Sequence, residues 1–565
     1  MSQPDLREDQ FANAFVRIAT SDGPVAQTGT SNRRGRAIIS ALAVIVTILL
    51  SHSPHGRTAA SLGDTPHDVP QETLDMNSGR TSMLALSASL VTAPSIASTI
   101  RVPADQSTIQ AAVNVAVNGD VIELTGGVFT ENVVIAGKQV IIQRAAGAEC
   151  VLNASHFSVS ASTTPGVSFR GIRFTGSTGS ALGAAVEAQD SDIGFTDCEF
   201  VGNSISGGSG SYGGAALYAR NCRLMMRSTA VNDNSVTLVS GGYPFAFGGA
   251  VLAYQCTVDI RDCSFARNTC SATVPGASWA EAKSYGGAIF MRSGTGVIGN
   301  CRFDANAVRS EVHGLGPLAG AFGGAIDASG TPGTGLVIQS CTFTNNRATA
   351  ISDNSYYGGG GGANGGAVCF GPDQSESGVH AVRDCLFFES RSDKSPSTNG
   401  QSVSDIAFIG ADSGSVERCH FGASSTSALT GDAIVGAVVA WGGTQSSLSS
   451  SDFCGLNCVS SAMNVHAKDV SVAASCGDCN DNGTPDLAEI IDGAPDNDAD
   501  GIPDACQCTS DLNRDRLVNG SDMGIILGFW GPTGSVFPQS DINRDGSVDG
   551  ADIGLLLANW GPCPH

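Results

Sequence analysis

Between about Gly183 and Phe421 two short motifs alternate, and their spacing leaves few folds open. One places Gly-Gly-Ala before an aliphatic residue: YGGAAL at Tyr212, FGGAVL at Phe247, YGGAIF at Tyr285, FGGAID at Phe322 and NGGAVC at Asn364. The other is Cys-x-Phe leading to Asn: CEFVGN at Cys198, CSFARN at Cys263, CRFDAN at Cys301 and CTFTNN at Cys341. Decayed copies stand at Cys385 and Cys419, and TAVNDN at Thr229 has Thr in the place of Cys. The copies recur every ~31–44 residues, the period of a stacked repeat. In GGAVLAYQCTVDIRDCSFARN, Gly248 to Asn268, three short strands (GAVLA, TVDI, CSFA) alternate apolar and polar residues, with polar corners between them. Strands this short cannot bury an apolar face alone, whereas copies stacked strand on matching strand can. The expected architecture is a parallel β-helix. Gly-Gly suits a tight corner or a close approach of coils, and the small Ala leaves room for larger core residues. Cys and Phe should stack in the core. Asn203, Asn234, Asn268, Asn306 and Asn346 should form a ladder at a corner, where Asn tolerates left-handed backbone.

The alternation of GGA-[IV] with Phe-x-x-Asn resembles the repeats of chlamydial polymorphic outer-membrane proteins, and more broadly the pectin lyase-like superfamily. The resemblance implies an all-β chain folded as a right-handed, single-stranded parallel β-helix. It does not choose a function, because that fold carries lyases, hydrolases, adhesins and inert spacers.

The composition agrees with turn-rich β structure: 72 Gly among 565 residues and only 15% charged. A net charge of −23 argues against nucleic acid and anionic membrane surfaces as partners. The 18 Cys, several in close pairs near the end, favour an oxidising compartment when an export signal is also present. Two stretches could be such a signal. AIISALAVIVTILL, Ala37 to Leu50, follows NRRGR but is shorter than the ~20 residues a membrane span needs. MNSGRTSMLALSASLVTAPSIAS, from Met76, has Arg80, an apolar run from Met83 to Val91, and the small residues Ser95 and Ala97 that suit signal peptidase. The reading adopted is translation from Met76, with 76–97 a signal peptide and 1–75 a mis-called extension. The alternative is a genuine long leader with Ala37 to Leu50 as signal or anchor. On the adopted reading a secreted or cell-surface protein without a transmembrane span in the mature chain is expected.

Residues 98–157 read as an N-terminal cap and first coils. Ser107 can cap a helix, TIQAAVNVAV, with Ile109, Ala112 and Val113 on one face, before strands VIEL, ENVVI and QVIIQ. This resembles the opening of pectin lyase-like proteins, where a helix covers the first coil. Repeats fill 158–472, less regular near Ala433 to Trp441. Insertions between the Asn of one coil and the Gly-Gly of the next fall at one corner and should form one flank. Three of them carry Trp279, Glu281 and Lys283; Arg309, Glu311 and His313; and Asp353, Tyr356 and Tyr357.

From Cys476 the chain turns Asp-rich. Over 476–508, Asp478, Asn480, Asn482, Gly483 and Asp486 give D-x-N-x-N-G-x-x-D, and Asp496, Asp498, Asp500, Gly501 and Asp504 give D-x-D-x-D-G-x-x-D. Carboxylates two apart around a glycine bend converge hard oxygen ligands suited to Ca2+. The segment resembles thrombospondin type 3 calcium repeats; a solvated acidic linker is the plainer alternative. Residues 509–565 hold two copies, DLNRDRLVNGSDMGIILGFWG and DINRDGSVDGADIGLLLANWG. Their Ca2+ ligand positions are Asp511, Asn513, Asp515, Asn519 and Asp522, then Asp541, Asn543, Asp545, Asp549 and Asp552. This resembles a type I dockerin, a small α-helical EF-hand-like domain, and implies docking to a cohesin-like protein. Arg516 stands where Gly546 stands in the second copy and should weaken the first loop. Gly520-Ser521 and Gly550-Ala551 occupy the pairs that choose partners in that family and lack its usual hydroxyls. Cys508 and Cys563 bracket the module and should join its ends.

No persuasive catalytic motif appears. Glu281, Glu311 and Asp353 could face one another across neighbouring insertions, as glycoside hydrolysis would require. Asp197, Asp262 and Asp384 precede core cysteines and read as corner residues. The repeat cysteines read as buried free thiols. The leading expectation is a non-catalytic, exported β-helix protein that binds or presents to a glycan or protein and is attached through its dockerin-like module. The rival is a polysaccharide lyase or glycoside hydrolase carrying a dockerin.

Overall fold

A computed structural model describes residues 97–565 except 180, 279, 316–317, 331–333, 353–361, 372–377, 396–401, 410–411, 428–434, 441–445, 455–464, 474–475, 481, 497–500, 507, 509, 514, 516, 533–537, 543–545 and 564–565. The leader and almost all of the signal segment, with Arg516 and Trp441, therefore lie outside the described residues.

Strand stacking sets the architecture. Three parallel sheets of 23, 15 and 8 strands contain nearly all the strands. One coil shows how sequence makes them. Val251–Tyr254, Thr257–Arg261 and Ser264–Ala266 are the three expected strands. Each pairs in parallel with its counterpart one coil on, as in Val251↔Ile289, Ile260↔Ile298 and Phe265↔Phe303. Because the register keeps like over like, identical side chains stack. Phe265, Phe303, Phe343, Phe387, Phe421 and Phe453 form a column with centroids 4.6–4.9 Å apart. Each such buried ring contributes about 1.5–3 kcal/mol by leaving water. Ala250, Ala288, Ala325 and Ala367 line the opposite wall at full burial.

Corners repeat as strictly. The residue before each core Cys is left-handed, with φ of 52° at Asp197, 55° at Asp262 and 53° at Asp384. These aspartates are corner residues, as their position implied. The Asn ladder is present but its geometry differs from expectation. The left-handed residue is the one before each Asn, such as Asp233 (φ 57°) and Arg267 (φ 54°). Asn itself turns inward and is fully buried. Asn234 Nδ2 donates to Asn268 Oδ1 at 3.0 Å, Asn268 Nδ2 to Asn306 Oδ1 at 2.9 Å, and Asn306 Nδ2 to Asn346 Oδ1 at 3.1 Å.

The insertions are not loops. Thr269–Ser278, Ala307–Leu315 and Arg347–Ser352 stack into the 8-stranded sheet, opposite Pro244–Phe247, Glu281–Tyr285 and Leu318–Phe322. Between them lies a second dry core rich in alanine, including Ala246, Ala272, Ala282, Ala319, Ala321 and Ala348. Each full coil thus has a body and a lobe joined by a neck. The second glycine of each later pair, Gly249, Gly287, Gly324 and Gly366, sits in that neck. A Cβ on Gly287 would lie 2.0 Å from Gly324 O and 2.7 Å from Ala307 N, so no side chain fits. The first copy is offset by one residue: Gly213, not Tyr212, pairs with Phe247.

The first coil is closed by helix α1, Ile109–Val115, which buries Ile109, Ala112 and Val113. Its N-cap is Thr108 rather than Ser107, accepting from Ala111 N at 3.0 Å. Lys138 Nζ donates to the carbonyls of Asn114 and Ala116 at the other end, at 3.0 and 2.9 Å, satisfying acceptors that a helix terminus leaves open. Among the described residues no helix is long and apolar enough to cross a membrane.

Candidate functional site

The acidic C-terminal region brings most of its expected ligand residues together. In the loop that opens helix α2, Asp486–Ile491, side-chain oxygens turn inward onto backbone N–H groups. Asp478 accepts from Asn482 N at 3.1 Å and Gly483 N at 2.8 Å. Asn480 accepts from Asn482 N at 3.1 Å, and Asp486 from Cys479 N at 2.8 Å. A residue not anticipated joins them. Glu489 on α2 takes Asn480 Nδ2 at 3.1 Å and also Asn482 Nδ2. It is the twelfth residue counted from Asp478, the place of the bidentate glutamate in an EF-hand loop. Counting three residues past Asp486 would have found it. In the next segment Asp496 accepts from Gly501 N at 3.1 Å, and Asp504 begins a short 3-10 turn; Asp498 and Asp500 lie outside the described residues.

The last module is built from two halves. Helices α3, Gly520–Gly528, and α4, Gly550–Ala558, each follow a loop and begin in a reciprocal capping box, with Asn519 and Asp522 in one and Asp549 and Asp552 in the other. Asp522 accepts from Asn513 N at 3.1 Å and Asn519 N at 2.9 Å, while Asp552 accepts from Ile542 N at 2.7 Å and Asp549 N at 2.8 Å. Asp511 and Asn513 both accept from Asp515 N, at 3.1 and 2.9 Å. Asp541 accepts from Gly546 N at 2.9 Å; Asn543 and Asp545 lie outside the described residues. Gly483, Gly501 and Gly546, the sixth residues of their loops, have φ of 86°, 84° and 92°, a region where glycine is favoured.

The halves are interlocked. Leu517–Val518, after the first loop, pairs antiparallel with Gly561–Pro562, after the second helix. Gly531–Pro532, after the first helix, pairs with Ser547–Val548 of the second loop. Leu512, Val518, Ile526, Val548 and Leu556 form the core. Cys508 and Cys563 are bonded, as their placement implied. Large apolar side chains are exposed at equivalent places in both halves: Leu527 and Trp530 are 56% and 54% exposed, Leu557 and Trp560 51% and 50%.

The described donor set suits a hard cation. It consists of carboxylate and amide oxygens, and the nearby sulfurs of Cys479, Cys506, Cys508 and Cys563 are tied in disulfides and offer no thiolate.

The lobe carboxylates do not assemble into an acid/base pair. Glu281 and Glu311 lie on opposite sheets of the lobe and point outward from each. Glu281 pairs with Lys283 at 2.6 Å. Glu311 pairs with Arg309 at 2.9 Å and His313 at 3.0 Å. Although burial pushes its carboxyl up, those bonds hold it below the ordinary range. Asp353, Tyr356, Tyr357 and Trp279 lie outside the described residues. On the body, one outer-face cluster combines bases and a carboxylate. Asp259 accepts from Arg261 Nε at 2.8 Å, and Arg227 of the preceding coil bonds both its carboxylate and, at 2.7 Å, its carbonyl. Burial opposes ionisation there, but the two guanidiniums hold Asp259 below the usual carboxylate range.

The column cysteines are buried free thiols. Desolvation pushes Cys198 up to about 11 and Cys150 up to about 12, so both stay protonated and unreactive near neutrality.

No known protein-family model matches this chain, and no curated protein matches it.

Proposed function

We propose that this is an exported, non-catalytic β-helix protein that presents its long lateral surface to a glycan or protein, and that its C-terminal module attaches it to a partner. The C-terminal module carries this reading. Its two halves each repeat an exposed apolar pair, Leu527 with Trp530 and Leu557 with Trp560, and large apolar side chains left exposed on a small domain mark protein-binding surface. The loop-and-helix duplication that resembles a type I dockerin makes a cohesin-like module the natural partner. Ca2+ is the cofactor proposed for both loops of the module and for the acidic segment. The residues that would hold it are Asp511, Asn513, Asp515, Asn519 and Asp522; Asp541, Asn543, Asp545, Asp549 and Asp552; Asp478, Asn480, Asn482, Asp486 and Glu489; and Asp496, Asp498, Asp500 and Asp504. When bound, the ion would neutralise carboxylates gathered in each loop and fix the helix that follows.

The rival reading is a polysaccharide lyase or glycoside hydrolase. Its support is the Arg227–Asp259–Arg261 cluster on the outer face of the coils. There each guanidinium is spent on Asp259, which favours a structural role.

The test is to incubate the full chain, in calcium, with a panel of uronate-containing and neutral polysaccharides, following reducing ends and unsaturated-uronate absorbance. Retention without cleavage is expected. Cleavage of any member would overturn the non-catalytic reading, and Asp259→Asn would then be the first variant to assay.

A further inference from the structure

The acidic segment does not trail away from the β-helix. Its first residue, Cys476, is bonded to Cys454 in strand Ser446–Cys454. From there it runs back over the outer face of the coils. Leu487 of α2 is buried against Gly422. A Cβ on Gly422 would lie 2.7 Å from Leu487 Cδ2, 2.9 Å from Phe388 Cδ2 and 3.2 Å from Cys476 Sγ. Beyond α2, Arg302 Nη1 donates to Ile491 O at 2.8 Å. A Cβ on Gly501 would lie 2.8 Å from the His420 ring. Register places Arg302, Thr342, Leu386 and His420 in one outward row, and Asp304, Thr344, Phe388 and Gly422 in the next. The segment therefore crosses four coils.

The surface beneath it is unlike the rest of that row. Outward positions on a stacked parallel sheet face water, and Arg302, Asp304, Thr342 and Thr344 are polar accordingly. Leu386, Phe388 and Gly422 are not, and Phe388 is buried, as are Thr344 and His420 beside it. Large apolar residues at such positions imply a permanent cover. The six residues of α2 connect this cover to the acidic loop: Leu487 enters the coils while its neighbours Asp486 and Glu489 belong to the ligand set. A helix of six residues has no stability of its own. It holds only if both ends of this arrangement hold.

We propose that the described residues between Cys476 and Cys506 form a strap over the outer face of the last coils, latched by a divalent cation held by Asp478, Asn480, Asn482, Asp486 and Glu489, and that loss of the ion lifts the strap and uncovers Leu386 and Phe388. The proposal rests on the calcium reading given above. Without the ion, Asp478, Asp486 and Glu489 are like charges held in one short loop, and their repulsion opposes the docked helix. The Cys454–Cys476 and Cys479–Cys506 bonds limit the motion, so the strap lifts while staying tethered.

The experiment is hydroxyl-radical footprinting of the full chain with calcium and after chelation, beside equilibrium counting of bound calcium. Glu489→Gln breaks the latch; Leu487→Ser breaks the docking contact and leaves every ligand in place. Chelation should raise oxidation of Phe388 and Leu487 several-fold and leave Phe343, inside the coils, unchanged. Glu489→Gln should bind one ion fewer and show the same exposure with calcium present. Leu487→Ser should expose Phe388 with the full ion count. If Glu489→Gln loses its ion while Phe388 stays protected, the latch is refuted and the calcium reading survives. If Phe388 is oxidised freely in the calcium-loaded wild type, the strap itself is refuted. If the wild type binds no calcium, the calcium reading falls and the latch with it.

Discussion

Single buried polar groups in this chain sort by whether a repeat supports them. Asn234, Asn268 and Asn306 each have a neighbour of their own kind above and below. Asp405 has none. It is wholly buried, with Ser424 and Ser404 hydroxyls donating to its two oxygens at 2.9 Å each. Burial dominates over these bonds and pushes its carboxyl up to about 7, against about 3.9 in an unfolded chain. The sign follows from proton counting. Below about pH 4 both states are protonated and the folded state loses nothing. From pH 4 to 7 the unfolded state releases a proton that the folded state keeps, so stability falls, by an order of about 4 kcal/mol in all. Asp405→Asn keeps the shape and removes the titration. Its stability relative to the wild type should therefore rise between pH 4 and 7 and then level off, as read from denaturation midpoints at several pH values. A difference that does not change with pH would contradict the buried, protonated acid.

At the scale of the element, the coil was legible because its core is periodic. Phe over Phe and Cys over Cys write the register into the sequence, and the three body strands were found where expected. What failed was context that a single coil does not contain. Tyr212 was aligned with Phe247 because both precede Gly-Gly, yet the neck selects by room for a Cβ, and Ala215 rather than Gly214 pairs onward with Gly249 in that register. The insertions were expected to form one flank but not a second core, because alanine and serine alternate weakly, although Ala272, Ala282 and Ala321 pack two sheets closely enough to make a dry lobe. Glu489 was overlooked because the loop pattern was read only to its ninth residue. The ladder permits a direct comparison of buried and exposed polar bonds. Asn268→Ala removes the amide that donates to Val231 O and accepts from Asn234 N and Asn234 Nδ2, while Asn306 Oδ1 keeps the backbone N–H of residue 268. Its neighbour Arg267 makes an exposed pair with Asp233 at 2.7 Å. Losing the first should cost about 1–3 kcal/mol or more, since several buried groups go unsatisfied. Losing the second, as Arg267→Ala, should cost less than about 1 kcal/mol. Hydrogen exchange of coils 198–268 in the two variants would rank them, and equal protection would show that the ladder is not what holds that corner.

The whole molecule divides its cysteines as it divides its charge. Sixteen of the 53 acidic residues fall after Cys476, in less than a fifth of the chain. Among the described residues the coils hold eleven buried free thiols, while the three disulfides involve residues from Cys454 onward. Physical reasons differ on the two sides. Each body coil has its own apolar core and its neighbours' sheets, so its cysteines serve as small packing residues. The acidic segment buries Leu487 alone among its large apolar residues, and the last module has a core of five buried side chains; elements this small need covalent ties. The Cys508–Cys563 bond closes a span of 55 residues, worth on the order of 4 kcal/mol by the chain-entropy account. Mild reduction should accordingly split the molecule's stability. The region after Cys476 should become sensitive to protease at temperatures where the intact chain resists, while a fragment running from the first coil to about Cys454 survives. Maleimide added after reduction should label only the six cysteines of the three bonds among those described, with the column thiols reacting once the coils are unfolded. A coil fragment digested at the same rate as the C-terminal region would mean that the disulfides hold the β-helix as well, and that strap and coils unfold as one unit.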